Sequence, residues 1–264
     1  MQDVKAILLV GGLGTRLRSV VPSAPKVLAS VGKRSFLELL VGQLHLQGIR
    51  RLVMCTGYLA EQIENEFADG RAWDVSIEYS REEQPLGTAG ALKRAERYLR
   101  GISYFVVMNG DSFLEVDFGN LMEFHRSHDA MATMAVLRVD DTSRYGTVNA
   151  DANGRVRGFA EKTGSDTPGL VNGGVYIFNH SVLQYIPEGP ASLERDVFPR
   201  LLDHGVYAQK QRGMFIDIGT PSDYARAQQL CDSLSQAALG HRLSGFAAGN
   251  DVNAAPGRSR SETK

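Results

Sequence analysis

Short apolar runs alternate with amphipathic segments through the first half of the chain. The apolar runs, which have the character of buried strands, are 6–10, 51–56, 75–80 and 104–108. The segments that predict helices are 36–46, 59–68 and 88–99. Ser35 and Glu38 have the spacing of a capping box, and Thr88 is the expected N-cap of the third helix. Strands that alternate with helices indicate a parallel sheet.

The pattern changes beyond Asp111. A helix is predicted over 117–126 and a strand over 131–139, and 147–150 and 156–160 predict a hairpin through Asp151-Ala152-Asn153-Gly154. The remaining predicted elements are a strand over 172–178, a capped helix from Ser192 to which we assign no chemistry, strands over 206–211 and 214–216, and a closing helix over 221–239. This half reads as antiparallel structure laid onto the parallel sheet. We expect one domain over 1–240, followed by a flexible tail over 241–264.

Composition and charge narrow the class of ligand. The chain has 264 residues and a net charge of −1 from 29 basic and 30 acidic side chains, which are well mixed. Nothing in this balance favours a nucleic acid or an anionic membrane as partner, so a small-molecule ligand is expected. No apolar run reaches the ~18 residues of a membrane span, and the start lacks a signal-peptide core, so we expect a cytoplasmic protein. Cys55 and Cys231 are expected to be buried free thiols.

The stretch from Gly11 to Leu17 follows the first apolar run and carries three glycines beside an arginine. It should leave the carboxyl end of a central strand, where open α/β sheets bind ligands and where uncrowded backbone amides can face a phosphate. A dinucleotide fingerprint needs glycine where Leu17 stands, and a Walker loop needs glycine where Arg16 stands. A turn without a ligand is the alternative. Arg16 and Lys26 favour a polyphosphate ligand.

This loop, with Pro25-Lys26 nine residues on, resembles the signature of the sugar-1-phosphate nucleotidyltransferases. These enzymes make nucleotide sugars from a nucleoside triphosphate and a sugar phosphate. The resemblance implies a Rossmann-like three-layer α/β/α fold with a mixed, mainly parallel central sheet and a small antiparallel extension. It divides a catalytic domain over 1–240 into a nucleotide half, about 1–115, and a sugar-phosphate half, about 116–240.

The resemblance also assigns site residues. The residues that it assigns to nucleotide binding are Leu9, Gly11, Gly12, Gly14, Thr15, Gln84, Gly87 and Thr88. Those that it assigns to the sugar are Gly146, Glu161, Lys162 and Asn172. The implied catalytic residues are Arg16, Lys26, Asp111, Lys162 and Asp217, with Asp111 and Asp217 as the carboxylates that hold Mg²⁺. Gln84 is expected at the base, because its amide offers both a donor and an acceptor.

Each motif also has a structural interpretation. Asp111 follows glycine, as many turn residues do, and Glu161-Lys162 would be an ordinary surface pair in isolation. Thr220 and Pro221 are a typical helix start, which leaves Asp217 unexplained. Asp111-Ser112-Phe113 lacks the Asp-x-Asp of glycosyltransferases and disfavours that class. The missing third glycine disfavours a dinucleotide-dependent oxidoreductase.

The mechanism implied for these residues needs no general base, since the attacking phosphate oxygen is already ionised. Mg²⁺ on Asp111 and Asp217 would hold the α-phosphate, while Arg16 and Lys26 would neutralise the triphosphate and the departing pyrophosphate. Lys162 would bring the sugar phosphate in line. Catalysis would consist of electrostatic stabilisation and positioning.

Within the family, the motifs are most similar to guanylyltransferases acting on D-glycero-D-manno-heptose 1-phosphate, which serve surface polysaccharide assembly. This implies GTP and the heptose phosphate as substrates. Uridylyltransferases and nucleotidyltransferases for mannose or glucose 1-phosphate are alternatives. A sugar-nucleotide-binding regulatory subunit without turnover is an alternative of another class. The sequence does not determine the base, the sugar or the oligomeric state. A homo-oligomer is one possible state.

Overall fold

A nine-stranded mixed sheet organises residues 4–160 and 167–240, which are the residues that the computed structural model describes. The strands within these ranges are β1 (Lys5–Leu9), β2 (Ser30–Val31), β3 (Arg34–Ser35), β4 (Arg51–Thr56), β5 (Ser76–Arg81), β6 (Tyr104–Asn109), β7 (Ser112–Leu114), β8 (Ala132–Val139), β9 (Thr147–Ala150), β10 (Val156–Ala160), β11 (Gly169–Asn179), β12 (Val206–Lys210) and β13 (Phe215–Asp217). β2 with β3, and β7 with β13, form separate two-stranded sheets. The predictions for Glu161, Lys162 and the tail over 241–264 lie outside the described residues.

The parallel part of the sheet has the order β5-β4-β1-β6. β11 then pairs antiparallel with β6 on one side and with β8 on the other, and β12 lies parallel to β8. The hairpin of β9 and β10 joins β11 through the Val171–Thr147 pair. Strands from both halves of the sequence therefore share one sheet. This mixed, mainly parallel arrangement confirms the predicted fold class.

Helices cover both faces of the sheet. They are α1 (Phe36–Leu46), α2 (Ala60–Phe67), α3 (Gly87–Arg94), α4 (Phe118–Ser127), α5 (Phe198–Leu201), α6 (Pro221–Gln229) and α7 (Cys231–Leu239). Shorter 3-10 segments include Thr15–Leu17, Lys26–Leu28, Ala95–Leu99 and His180–Tyr185, and a π-type turn spans Leu193–Val197. Among the described helices, none combines the length and the apolar character that a membrane span requires.

The central strand shows why the sheet has a core on each face. Along β1, Ala6 and Leu8 pack into the core beneath α1 and α7, while Ile7 packs into the core beneath α3 and α5. All three side chains are fully buried. Successive strand residues point to opposite faces, so a strand covered on both sides must be apolar throughout.

Several local predictions are confirmed and others are wrong. Ser35 and Glu38 form the complete capping box of α1. Thr88 is not an N-cap, because α3 begins one residue earlier at Gly87 and has no side-chain cap. The predicted closing helix is two helices, α6 and α7, because the backbone departs from helical geometry at Leu230. Cys55 is buried, but Cys231 is partly exposed; both are free thiols.

Candidate active site

Two cavities open at the carboxyl ends of β1 and β6, where a ligand site was expected. The first has a volume of about 460 Å³ and the second about 910 Å³. Of the described residues, Arg16, Asn109, Asp111 and Gly219 line both cavities. We call this shared wall, together with Asp217 of the second cavity, which accepts from the Gly219 amide, the junction. Volumes of this size suit small-molecule ligands, and two ligands bound side by side would meet at the junction.

The glycine loop forms the floor of the first cavity. The nucleotide-site residues predicted from the sequence that line it are Leu9, Gly11, Gly12, Gly14, Thr15, Gly87 and Thr88, together with Arg16, Lys26 and Asp111. Gly14 has φ +56°, and a Cβ there would lie 2.9 Å from the Cβ of Lys26. Glycine is therefore required where the loop turns against Lys26. Gln84 is exposed on the neighbouring loop and is not among the residues that line this cavity.

Asp111 is brought beside the loop by a close backbone contact. The Gly110 amide donates to the carbonyl of Leu9 at 3.0 Å, and a Cβ on Gly110 would lie 2.7 Å from that oxygen. Asp111 Oδ2 accepts a hydrogen bond from Lys26 Nζ at 2.8 Å. The Lys26 side chain is only 10% exposed, so its charge is held at the end of β1 and faces the cavity.

Asp217 reaches the junction through strand pairing over a long sequence separation. In the two-stranded sheet of β7 and β13, Asp217 lies opposite Ser112, and the Ile218 amide donates to the Asp111 carbonyl at 2.9 Å. The Asp217 side chain accepts from the Gly219 amide through Oδ1. Asp217 ends β13, and Asp111 lies in the turn just before β7, the strand that pairs with β13, so the pairing brings the two carboxylates together.

The two carboxylates repel one another electrostatically. Burial raises the pKa of Asp217, and the negative charge of Asp111 raises it further, while Lys26 acts in the opposite direction. Within the described residues, one oxygen of each carboxylate has a hydrogen-bond donor, which leaves the other oxygen of each as a ligand. No group of three or more His, Cys, Asp or Glu side chains among residues 4–160 and 167–240 is arranged to hold a metal. The pair fits a hard divalent cation that takes its other ligands from phosphates and water.

Glu82 is a cavity residue that sequence reasoning missed. It lines the first cavity, and a Cβ on Gly11 would lie 3.0 Å from its Oε1. Its Oε2 accepts from the Leu86 amide at 2.8 Å, which fixes the side chain. Burial raises the pKa of Glu82. The motif contains acids at 82 and 83 before Gln84, so the sequence contained a signal, but residue types do not show which of the three side chains turns inward.

Gly146 and Asn172, two of the residues predicted to bind the sugar, both line the second cavity. A β-bulge interrupts the pairing of β11 with β8 between Asn172 and Val175. Gly174 adopts φ +74° in this bulge, and its amide donates to Asn172 Oδ1 at 3.0 Å. Bulges of this kind re-aim a side chain out of the regular strand pattern. The bulge thus fixes the Asn172 amide at the cavity wall.

Most of the second cavity was not predicted. Arg144 makes a two-point ion pair with the buried Asp223, with Nη1 at 2.9 Å from Oδ1. Glu194 lines the cavity from the π-type turn, although we assigned no chemistry to that helix start. Other cavity residues that sequence reasoning missed include Tyr145, Phe159, Arg195, Phe198 and Thr220. The cavity therefore combines aromatic surface with charged groups of both signs.

The chain belongs to the nucleotidyl transferase family, whose model matches residues 5–233. It is 40% identical over 228 residues to D-glycero-alpha-D-manno-heptose 1-phosphate guanylyltransferase from Aneurinibacillus thermoaerophilus, a match that covers 86% of this chain and 97% of that protein. It is 39% identical over 228 residues to mannose-1-phosphate guanylyltransferase from Mycobacterium tuberculosis, which covers 85% of this chain and 63% of the relative. The chain thus spans less than two thirds of the length of this mannose-1-phosphate relative.

A solved structure has the same fold. The crystal structure of HddC from Yersinia pseudotuberculosis complexed with GMP-PN superposes with a TM-score of 0.76 at 32% sequence identity. The match covers 86% of this chain and 98% of that chain. The fold, the family match and the sequence motifs therefore all indicate a nucleotidyl transferase.

Proposed function

We propose that this protein transfers a guanylyl group from GTP to a sugar 1-phosphate, with D-glycero-α-D-manno-heptose 1-phosphate as the sugar substrate. The products are the GDP-sugar and pyrophosphate. The observation that carries the proposal is the junction, where Arg16 and Asp111 line two cavities at once. Relatives named as guanylyltransferases for heptose and mannose 1-phosphates support the substrate class. A role in surface polysaccharide synthesis and a cytoplasmic location belong to the same proposal.

The reaction joins two polyanions, so the residues of the junction mainly oppose charge repulsion. An oxygen of the sugar phosphate attacks the α-phosphorus of GTP, and the bond from that phosphorus to the bridging oxygen breaks as pyrophosphate leaves. No proton has to be removed from the attacking oxygen. Arg16 faces both cavities and can neutralise either phosphate, while Lys26 faces the first cavity alone. Fixed charges of this kind stabilise the charge that develops in the transition state.

Asp111 and Asp217 would hold Mg²⁺, which when bound would neutralise negative charge on the phosphates. Each of the two carboxylates is already held in position by its own hydrogen bond. Lys26 fixes Asp111, and the Gly219 amide fixes Asp217. Because burial and the negative charge of Asp111 raise the pKa of Asp217, a bound cation would offset the electrostatic cost of ionising the Asp217 carboxyl.

Glu82 supports guanine as the base. Guanine presents two neighbouring donors, its N1–H and its exocyclic amino group, whereas uracil and thymine present one donor between two carbonyl acceptors. A carboxylate offers acceptors only and therefore matches guanine, while an amide matches the pyrimidines better. The Glu82 carboxylate lines the first cavity and Gln84 does not. This placement favours a purine with two donors over UTP or dTTP.

Pyrophosphate release tests the function. The full chain is assayed with Mg²⁺ across GTP, UTP, CTP, dTTP and ATP, each paired with heptose, mannose, glucose and N-acetylmuramate 1-phosphates. Turnover with GTP and the heptose phosphate supports the proposal. Preference for mannose 1-phosphate would correct the sugar, and preference for UTP would correct the base. Absence of release with every pair would contradict the proposal and favour a sugar-nucleotide-binding regulatory subunit.

Glu82→Gln tests base selection with a matched control. Loss of the acceptor pair should raise the KM for GTP by about 10- to 100-fold, the range for a hydrogen bond to a charged group. The ratio of kcat/KM for UTP over GTP should rise at the same time. Glu83→Gln removes the neighbouring exposed carboxylate, which lies outside the cavity lining, and should change neither value. Equal effects of the two variants on KM and on the UTP-to-GTP ratio would show that Glu82 does not select the base.

A further inference from the structure

Two glycines bring the first turn of α3 against the backbone of residues 189–193. A Cβ on Gly87 would lie 2.5 Å from the Ala191 carbonyl oxygen, and one on Gly90 would lie 2.4 Å from the carbonyl oxygen of Gly189. The Ala89 amide donates to the Ala191 carbonyl at 2.9 Å. This turn lines the first cavity, and the segment it touches leads into Glu194 of the second cavity. The contact is therefore the wall between the two cavities.

Glu194 is held at this wall by three hydroxyl groups. Its Oε2 accepts from Thr88 Oγ1 at 3.1 Å and from Ser192 Oγ at 2.8 Å. Its Oε1 accepts from the Tyr176 hydroxyl at a longer 3.3 Å. Thr88 Oγ1 also accepts from the Leu193 amide at 2.8 Å, so this hydroxyl donates to Glu194 and accepts from the neighbouring backbone. Each carboxylate oxygen has about two acceptor positions, so Oε1 keeps one for a donor in the second cavity.

Tyr176 extends the network to Asn172. Its hydroxyl accepts from Asn172 Nδ2 at 2.7 Å, and the ring is completely buried. Burial, and after it the negative charge of Glu194, raise the pKa of Tyr176, which therefore stays protonated and donates to the carboxylate. A continuous chain of hydrogen bonds thus runs from Thr88 in the first cavity to Asn172 in the second.

We infer that Glu194 binds a hydroxyl group of the sugar, and that Thr88 is a positioning residue that couples sugar binding to occupancy of the nucleotide cavity. A nucleotide in the first cavity contacts Gly87 and Thr88 directly and orders the hydroxyl that holds Glu194. Each substrate should therefore strengthen the binding of the other, since coupling between two sites is reciprocal. The inference rests on the proposed function for the identity of the two ligands.

Calorimetric titration of the full chain with D-glycero-α-D-manno-heptose 1-phosphate tests the coupling, with and without the non-hydrolysable guanosine 5′-(α,β-methylene)triphosphate. The wild type should bind the sugar phosphate at least about fivefold more tightly in the presence of the analogue, within the usual range of coupling between sites. Thr88→Val keeps the shape but removes the hydroxyl, and should bring this ratio close to one. Thr88→Ser should restore it. Glu194→Gln should weaken sugar-phosphate binding about tenfold or more.

The outcomes separate this inference from the proposed function. If the wild type turns over but Thr88→Val keeps the wild-type ratio, Thr88 does not couple the sites and the inference fails alone. If Glu194→Gln binds the sugar phosphate as the wild type does, the sugar contact is wrong. If the wild type binds neither the sugar phosphate nor the analogue, the proposed function fails and the inference fails with it.

Discussion

His125 should make the stability of this protein fall with acidification below neutral pH. The side chain lies on α4, is completely buried, and places Nδ1 2.9 Å from the Thr133 hydroxyl. Its Nε2 has no hydrogen-bond partner among the described residues, and the edge of the ring meets Tyr104. Burial, and after it the positive charge of Arg126, lower the pKa of His125 from 6.5 to about 4. The folded state therefore holds a neutral imidazole.

The size of the effect follows from this difference. Between pH 6.5 and about 4, an unfolded chain protonates His125 while the folded chain does not. The stabilisation is fully present above pH 6.5 and is lost as the pH falls through the folded pKa. At about 1.4 kcal/mol for each pH unit, the free energy of unfolding should fall by about 3 kcal/mol from this residue. Burial raises the pKa values of Glu38 and Glu66, and a raised carboxyl pKa makes a protein more stable as the pH falls. The contribution of His125 must therefore be measured as a difference in stability between the wild type and a variant.

Urea denaturation from pH 4 to 8 of the wild type and His125→Asn measures this difference. Asparagine keeps a polar atom toward Thr133 and has no charge to gain. The variant should be less stable at pH 8, and the gap between the two proteins should shrink by about 3 kcal/mol on acidification, since every other titrating group is common to both. A gap that stays constant across the range would refute the assignment of a neutral, desolvated imidazole.

Two further predictions concern the cavities. Gly14→Ala should lower kcat/KM about tenfold or more, because a side chain at φ +56° is strained and its Cβ meets Lys26. Gly158→Ala is the control and should leave kcat/KM unchanged, since a Cβ at this position meets nothing within 4 Å. Arg144→Lys loses the two-point pairing with Asp223 and should raise the KM for the sugar phosphate several-fold, while the KM for GTP stays constant. An equal rise in KM for both substrates would contradict the assignment of Arg144 to the second cavity.

The sequence was most informative where local physics decides the structure. β4, β9 and β10 occupy the predicted ranges, because their apolar or alternating patterns are bounded by turn residues. The capping box at Ser35 depends only on neighbours within one turn. The glycine loop was predicted as a ligand site because it follows a strand that is buried on both faces. Each of these features is announced by a pattern within a short stretch of the sequence, although the strands themselves pair over longer distances.

Features that depend on distant segments were not predictable in the same way. Thr88 fits an N-cap by its sequence, yet its hydroxyl bonds to residues more than 100 positions away, at Leu193 and Glu194. The acids of the helix start at Ser192 look like favourable charges at a helix amino end, and only the fold turns Glu194 toward the second cavity. Glu82 and Gln84 lie on the same loop, and only Glu82 lines the first cavity. The conformation of the loop decides this, and no sequence periodicity predicts it. The family resemblance, in contrast, pairs Asp217 with Asp111 across a long separation. The pairing of β13 with β7 brings the two together, and their role as metal ligands stays a prediction.

Loss of either junction carboxylate tests the central claim most directly. Asp111→Asn and Asp217→Asn are compared with the wild type for Mg²⁺-dependent pyrophosphate release from GTP and the heptose phosphate. Asp203→Asn serves as the control, because this exposed carboxylate lines neither cavity. Each junction variant should lose on the order of 10² to 10³ in rate, as expected for a well-placed charge at a reacting phosphate, while the control keeps the wild-type rate. Wild-type release by either junction variant, with the same dependence on Mg²⁺, would contradict the two-carboxylate site.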